Sequence, residues 1–156
     1  MADAASVTIS ATVLPDEISK ILAGTMTVTP ADSGDKWYYK LSRVGTGSSL
    51  LMNGSFIGRA GNSTTVIDDS AAMQATDAAD KIKFLFVKNT DSTNPIYICI
   101  SASTTAASAS AAGNLYLPAG QSVAVQTSNT TLGNVAAIST GGNVDCIVAA
   151  LLDDVA

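Results

Sequence analysis

The chain has 156 residues, enough for one domain with a hydrophobic core of its own. Only 13% of the residues are charged and there is no histidine, which excludes His-based catalytic triads and histidine metal sites. The formal net charge is -5 and the last cation is Lys88, so the sequence predicts no direct binding to nucleic acid.

Ala, Ser, Thr, Val and Ile dominate the composition and Glu17 is the only glutamate, a balance typical of strands and not of long amphipathic helices. No apolar run approaches the roughly 20 residues that a membrane-spanning helix needs. The residues after Met1 lack the basic and apolar regions of a secretory signal. We therefore expect a protein assembled in a cytoplasm, without a membrane partner.

The N-terminal segment has apolar residues at every second position over 7–13, which predicts a strand with one buried face. Pro15 then suits the first position of a helix. Three apolar residues that follow would share one helical face, namely Ile18, Ile21 and Leu22. One short helical turn is therefore predicted near residues 15–22, and residues 5–22 are interpreted as an N-terminal strand and arm.

Further alternating segments in the first half predict short strands at 25–29, 37–41, 49–53, 55–57 and 64–68. The strand over 37–41 contains the only tryptophan of the chain, Trp37. We expect this side chain to anchor the core.

The second half has the clearest alternation, with strands predicted over 81–88 and 96–100. The residues expected to share one face of the first of these strands are Ile82, Phe84 and Phe86. Turn-forming residues at 89–95 predict that the two strands pair as a hairpin.

Residues 101–113 form a tract of Ser, Thr and Ala without periodicity, which predicts a long loop. Strands are predicted after it at 115–117, 123–125, 135–138 and 144–152. The last strand is apolar on both faces near its end, which indicates a central position or a buried interface. Together the chain predicts an all-β fold, a jelly-roll-like antiparallel β-sandwich of about eight to ten short strands in a single domain, 1–156.

Few side chains could carry chemistry. Cys99 and Cys146 lie in apolar strand patterns and are expected to be free buried thiols, or a disulfide if their strands are neighbours. Acidic pairs such as Asp68 with Asp69 are interpreted as solvated turns and caps, because they lack the spacing of a calcium loop. We predict no enzyme, no catalytic residue, no cofactor and no metal site. A glycosidase would need two carboxylates brought together in a cleft, and only one glutamate is available.

Two segments are the least explained by the core of a monomer, the predicted turn over 18–22 and the tract 101–113. They are either a small capping turn and a flexible loop, or surfaces that pack against neighbouring subunits. The candidate contacts with neighbouring subunits are Ile18, Ile21, Leu22, Thr104, Thr105, Ala106 and Ala107.

Several stretches carry a family resemblance, namely residues 6–10 with 14–18, residues 84–90 with 96–98, and residues 117–122. Their order is a strand, an Asn-Thr turn, a strand, a Pro-Ala-Gly turn and a strand. In these motifs the chain resembles small β-rich virion proteins of tailed bacteriophages, especially those of marine and cyanobacterial phages.

The resemblance implies a non-enzymatic capsid decoration, or cement, protein that stabilises the phage head. The implied partners are the major capsid protein and copies of the chain itself, with a homotrimer favoured, at the capsid surface of the virion. Two alternatives stay open: a tail or connector component, and a tail-fibre module that binds a receptor or carbohydrate. The carbohydrate-binding alternative predicts clustered aromatic side chains.

Overall fold

The computed structural model describes residues 5–13, 20–31, 35–47, 49–50, 80–100 and 114–153. These residues form ten strands and a short 3₁₀ turn. The strands are β1 (Ala5–Val13), β2 (Lys20–Val28), β3 (Asp35–Val44), β4 (Ser49–Leu50), β5 (Lys81–Asn89), β6 (Ile96–Ile100), β7 (Leu115–Leu117), β8 (Ser122–Thr131), β9 (Val135–Ser139) and β10 (Val144–Asp153), with the 3₁₀ turn at Leu132–Asn134. No helix in this described part is long and apolar enough to cross a membrane.

The chain divides into two compact units, Met1–Ser33 and Gly34–Ala156. In the first unit β1 and β2 form an antiparallel hairpin, with Val13 opposite Lys20 and Ala5 opposite Val28. The predicted arm over residues 5–22 belongs to this unit. The contacts within each unit do not test the predicted single domain, which stays a prediction.

The predicted helical turn is wrong for residues 20–22, which lie in β2 and pair in that order with Val13, Thr12 and Ala11 of β1. One helical turn fixes several residues for a single hydrogen bond, whereas a strand ladder satisfies the backbone groups along its whole length. Residues 15–19 of that prediction lie outside the described residues.

The second unit consists of two four-stranded antiparallel sheets, in the order β3-β10-β5-β8 and β4-β9-β6-β7. The strand pairs of this unit are nested. The first strand, β3, pairs with the last, β10, and within them β4 pairs with β9, β5 with β8 and β6 with β7. The chain therefore has the strand pairing of one long hairpin folded over into two sheets, which is the arrangement of a jelly roll. The predicted all-β, jelly-roll-like antiparallel sandwich is confirmed.

One hydrophobic core lies between these sheets. It takes alternate residues from strands of both, and its largest fully buried side chains include Ile82, Leu85, Ile96, Ile98 and Leu132. The core side of β10 is apolar throughout, from Val144 to Leu152. Since β10 lies between β3 and β5, the predicted central position of this strand is confirmed.

The predicted hairpin of residues 81–88 with 96–100 is wrong. β5 pairs with β10 and β8, whereas β6 pairs with β9 and β7 in the other sheet. The segment between the two strands therefore crosses from one sheet to the other. An alternating pattern shows that each strand has a buried face, but a hairpin and a crossing connection share that pattern.

The expected core position of Trp37 is also wrong. The core side of β3 is formed by Ser42 and Val44, so Trp37 and Tyr39 lie on the outer face, 36% and 40% exposed. In β5 the predicted common face of Ile82 and Phe84 is wrong as well, because the pairing shifts register between these two residues. Such a β-bulge places the side chains before it and those two positions later on opposite faces of the strand.

Predicted elements at 55–57, 64–68 and 101–113 lie outside the described residues, as does the part of the predicted strand 49–53 beyond Leu50.

Candidate functional site

Of the seven predicted contact residues, the structure describes two, Ile21 and Leu22. Ile21 and Leu22 lie in β2, and the structure describes only their backbone positions. The others, Ile18, Thr104, Thr105, Ala106 and Ala107, lie outside the described residues. Their role as contacts stays a prediction.

The outer face of the first sheet carries four aromatic side chains, Trp37, Tyr39, Phe84 and Phe86, and is here named the aromatic face. The strand register places them in two rows across the sheet. Trp37 lies opposite Leu151, which lies opposite Phe84. In the next row Tyr39 lies opposite Ala149, which lies opposite Phe86.

Two aromatic rings of this face pack edge to face. The centroids of Trp37 and Phe84 are 6.1 Å apart and their planes are inclined by 75°. Phe84 is only 3% exposed, so the aromatic face has a closed floor with Trp37 and Tyr39 partly open at its β3 edge. Edge-to-face pairs hold both rings in fixed orientations. The result is a rigid apolar surface.

Ion pairs lie at both ends of the aromatic face. At one end Arg43 donates from Nε and from a terminal nitrogen to the two carboxylate oxygens of Asp145, at 2.9 and 3.3 Å. This hydrogen bond and the charge of Asp145 raise the pKa of Arg43. At the other end Lys83 Nζ lies 2.5 Å from Asp35 and 3.6 Å from Asp153.

The carboxylates of Asp35 and Asp153 both lie close to Lys83. The residues lie opposite one another on β3 and β10. Lys83 contacts both carboxylates, and the side chain of Asp35 is fully buried. The geometry is therefore that of a structural ion cluster, with one lysine between two carboxylates.

The outer face of the second sheet is different. It is named the tyrosine face and consists of Tyr97, Cys99, Tyr116, Ala136 and Ile138. The rings of Tyr97 and Tyr116 lie 5.1 Å apart, and Tyr116 is 57% exposed. The strands β6, β7 and β9 that form this face contain no charged residue.

At one end of the sandwich a buried asparagine holds the connections between the sheets. Asn89 Nδ2 lies within hydrogen-bond distance of the carbonyl oxygens of Asn94, Leu117 and Pro118, at 2.9, 3.4 and 3.2 Å. Its side-chain oxygen accepts a hydrogen bond from the backbone N–H of Asp91. One side chain of β5 therefore fixes the crossing from β5 to β6 and the turn from β7 to β8.

The carboxylate of Asp91 accepts hydrogen bonds from the backbone N–H groups of Thr93 and Asn94, both at 2.7 Å. These bonds lower the pKa of Asp91. In the other connection, Gln121 donates its N–H to the oxygen of Pro118, and Gly120 has the positive φ of 72° that the third position of a type II turn needs. Both connections are therefore tight turns.

Both cysteines are buried free thiols, which confirms the first of the two predicted states. Cys146 faces the core, and burial followed by the charges of Asp145 and Asp91 raises its pKa to about 12. A thiol with such a pKa is protonated at neutral pH and is a poor nucleophile. In the described ranges no three His, Cys, Asp or Glu side chains lie close enough to hold a metal ion.

Sequence reasoning missed the aromatic face, because it placed Trp37 in the core and put Phe84 on the same face of its strand as Ile82. The pattern of β3 alone gives no signal for it, because charged residues occur at both parities of the strand, Asp35 and Arg43 with Trp37 but Lys36 and Lys40 with Ser42.

No protein-family model, curated protein or solved structure matches the chain.

Proposed function

We propose that the chain is a non-enzymatic virion structural protein, a capsid decoration protein that binds the assembled phage head and stabilises it. Its partners in this proposal are the major capsid protein and other copies of the chain. The observation that carries the proposal is the aromatic face: an apolar surface with two partly exposed aromatic side chains, framed by ion pairs, on a rigid sheet.

Such a surface suits protein docking. Aromatic residues are enriched in protein interfaces, and the central anchors of an interface are commonly Trp and Tyr. Trp37 and Tyr39 lie side by side on β3, and their neighbours Leu151 and Phe84 form the floor beneath them. A partner would bury the Trp37 ring without first ordering it, because the edge-to-face contact of Trp37 with Phe84 is already made.

The mechanism needs no reaction. A protein that binds the assembled shell and not its dissociated subunits shifts the assembly equilibrium towards the shell by mass action. The strength of the effect rises with the concentration of the chain relative to its dissociation constant.

The experiment is co-sedimentation of the purified chain with expanded shells of the phage that encodes it, with unexpanded shells alongside. Tyr39→Ser is expected to weaken binding to expanded shells by about tenfold or more, because it removes an exposed anchor. Tyr116→Ser is the matched control, since it removes an exposed tyrosine from the other sheet and is expected to leave binding unchanged. Failure of the wild-type chain to sediment with expanded shells would overturn the proposal.

A carbohydrate-binding module of a tail fibre is the second candidate, and the same two rings favour it. Flat aromatic side chains in the open can stack on the apolar faces of sugar rings, and Trp37 and Tyr39 are 36% and 40% exposed. Binding of the wild-type chain to a glycan array, lost in Tyr39→Ser, would favour this candidate over shell binding.

A further inference from the structure

The two edge strands of the first sheet differ in the charge of their sequences. β3 contains four charged residues, Asp35, Lys36, Lys40 and Arg43. The opposite edge strand, β8, has ten residues with no charge and no proline. Among the described strands, β8 pairs with β5 alone. Charges and prolines are the usual means by which an edge strand avoids pairing with another chain.

The regular part of the β8 edge is Ser122–Gln126. Beyond it the pairing with β5 shifts register, since Phe84 lies opposite Gln126 but Ile82 lies opposite Thr130. The hydroxyl of Thr127 donates to the carbonyl oxygen of Ile82 within this irregular stretch. The edge that a partner strand can follow is therefore short and has a defined end.

The hydrogen-bond pattern shows which backbone groups of this edge point outward. Asn89 donates its N–H to the oxygen of Gln121, its direct opposite at the start of the β5–β8 register. Hydrogen-bonded and non-bonded pairs alternate along antiparallel strands. Val123 and Val125 therefore exchange hydrogen bonds with β5, while the N–H and C=O groups of Ser122, Ala124 and Gln126 point away from the sheet.

The side chains of this edge have the same pattern in both directions. A polar residue, a valine, an alanine, a valine and a polar residue follow one another from Ser122 to Gln126. Two copies related by a two-fold axis at Ala124 would place Ala124 opposite Ala124, Ser122 opposite Gln126, and Val123 opposite Val125. All outward backbone groups are then paired, and valines meet on the core side, where Val123 and Val125 already pack against the core.

The other face of the sheet also continues across such an axis. Ala124 lies opposite Phe86, Phe86 lies opposite Ala149, and Ala149 in turn lies opposite Tyr39. The second row of the aromatic face therefore ends at Ala124 and would join the same row of the second copy. No charged residue of β8 opposes this approach.

We infer that the Ser122–Gln126 edge binds a second copy of the chain by antiparallel strand pairing about a two-fold axis at Ala124, which joins two sheets into one. An interface of this kind uses the same patch on both subunits. The inference stands without the proposed function, since it concerns association of the chain with itself.

The first test is sedimentation equilibrium of the full chain over a range of concentrations. The wild-type chain is expected to form dimers. Ala124→Pro removes an outward N–H without breaking a bond to β5 and is expected to raise the dimer dissociation constant by about tenfold or more. A wild-type chain that stays monomeric, or a trimer that Ala124→Pro leaves intact, would overturn the inference.

A second pair of variants tests the position of the axis and does not depend on proline. Ala124→Glu and Ala124→Lys each place like charges opposite one another, so each alone is expected to dimerise more weakly than the wild type. An equimolar mixture is expected to recover dimers, because unlike charges then meet across the axis. If the mixture is no more dimeric than its components, the axis is not at Ala124 and the inference fails. Shell binding by the monomeric variants would leave the proposed function standing even then.

Discussion

The two sheets of the sandwich share one core, but their outer faces differ. The aromatic face of the first sheet lies between the Arg43–Asp145 ion pair at one end and the cluster of Lys83, Asp35 and Asp153 at the other. The described strands of the tyrosine face have no charged residue, and their most exposed large side chain is Tyr116.

This difference shows how a sandwich can be largely apolar on both outer faces and still have charged groups that orient a partner on only one of them. Apolar contact is non-directional, whereas charged groups at fixed positions favour one alignment of a partner over others. The aromatic face has both kinds of group. A partner of this face is therefore expected to bind less tightly as the salt concentration rises.

The largest expected effect compares the two faces directly. Phe84→Ala removes a ring that is 3% exposed and is expected to lower the free energy of unfolding by about 3–5 kcal/mol. Tyr116→Ala removes a ring that is 57% exposed and is expected to cost about 1 kcal/mol, chiefly through its contact with Tyr97. Urea unfolding of both variants measures the two losses. Equal losses would show that the two faces do not differ in this way.

The next effect concerns the link between the sheets. Asn89→Ala removes the amide that contacts the oxygens of Asn94, Leu117 and Pro118, and is expected to cost about 2–3 kcal/mol. Thr90→Val is the control, because it removes an exposed hydroxyl that donates to the oxygen of Asp145. A cost for Asn89→Ala no larger than for Thr90→Val would mean that the buried amide does not hold the two connections.

The fold class followed from the sequence because it depends on periodicity. Apolar residues recur at every second position, as at Ile96 and Ile98 in β6 and from Val144 onwards in β10. This pattern marks a buried face whichever strand lies alongside. The pairing of β5 with β8 and β10 did not follow, because it is decided by contacts between residues far apart in the chain.

The candidate site was less predictable. One register shift between Ile82 and Phe84 places the aromatic ring on the face opposite to that of Ile82, and a bulge has no signature in alternation alone. The role of Asn89 was equally hidden, since an asparagine at a strand end is typical of an exposed turn. The buried position of Asn89 depends on the carbonyl groups of Leu117 and Pro118, which lie far along the chain.

A smaller effect tests the charged frame of the aromatic face. Lys83→Met keeps an unbranched apolar stem but leaves the buried carboxylate of Asp35 without its lysine. Because the lysine side chain is 29% exposed, we expect a loss of about 1–2 kcal/mol, below that of breaking a fully buried ion pair. Lys88→Met is the matched control, on an exposed residue of the same strand. Thermal unfolding of the two variants should differ, and coinciding curves would contradict a stabilising role for the cluster.

The smallest expected effect is a pH dependence at the connection from β5 to β6. The pKa of Asp91 is lowered in the folded chain, so between the folded and unfolded values the unfolded state binds more protons and stability rises with pH. The contribution is complete above about pH 5 and is lost as pH falls through the unfolded value near 3.9 and on through the folded one. Asp91→Asn keeps an oxygen acceptor for Thr93 and Asn94 but cannot ionise. Its free energy of unfolding should therefore fall less steeply between pH 5 and 3 than that of the wild type, because the other carboxylates titrate in both proteins and cancel in the difference.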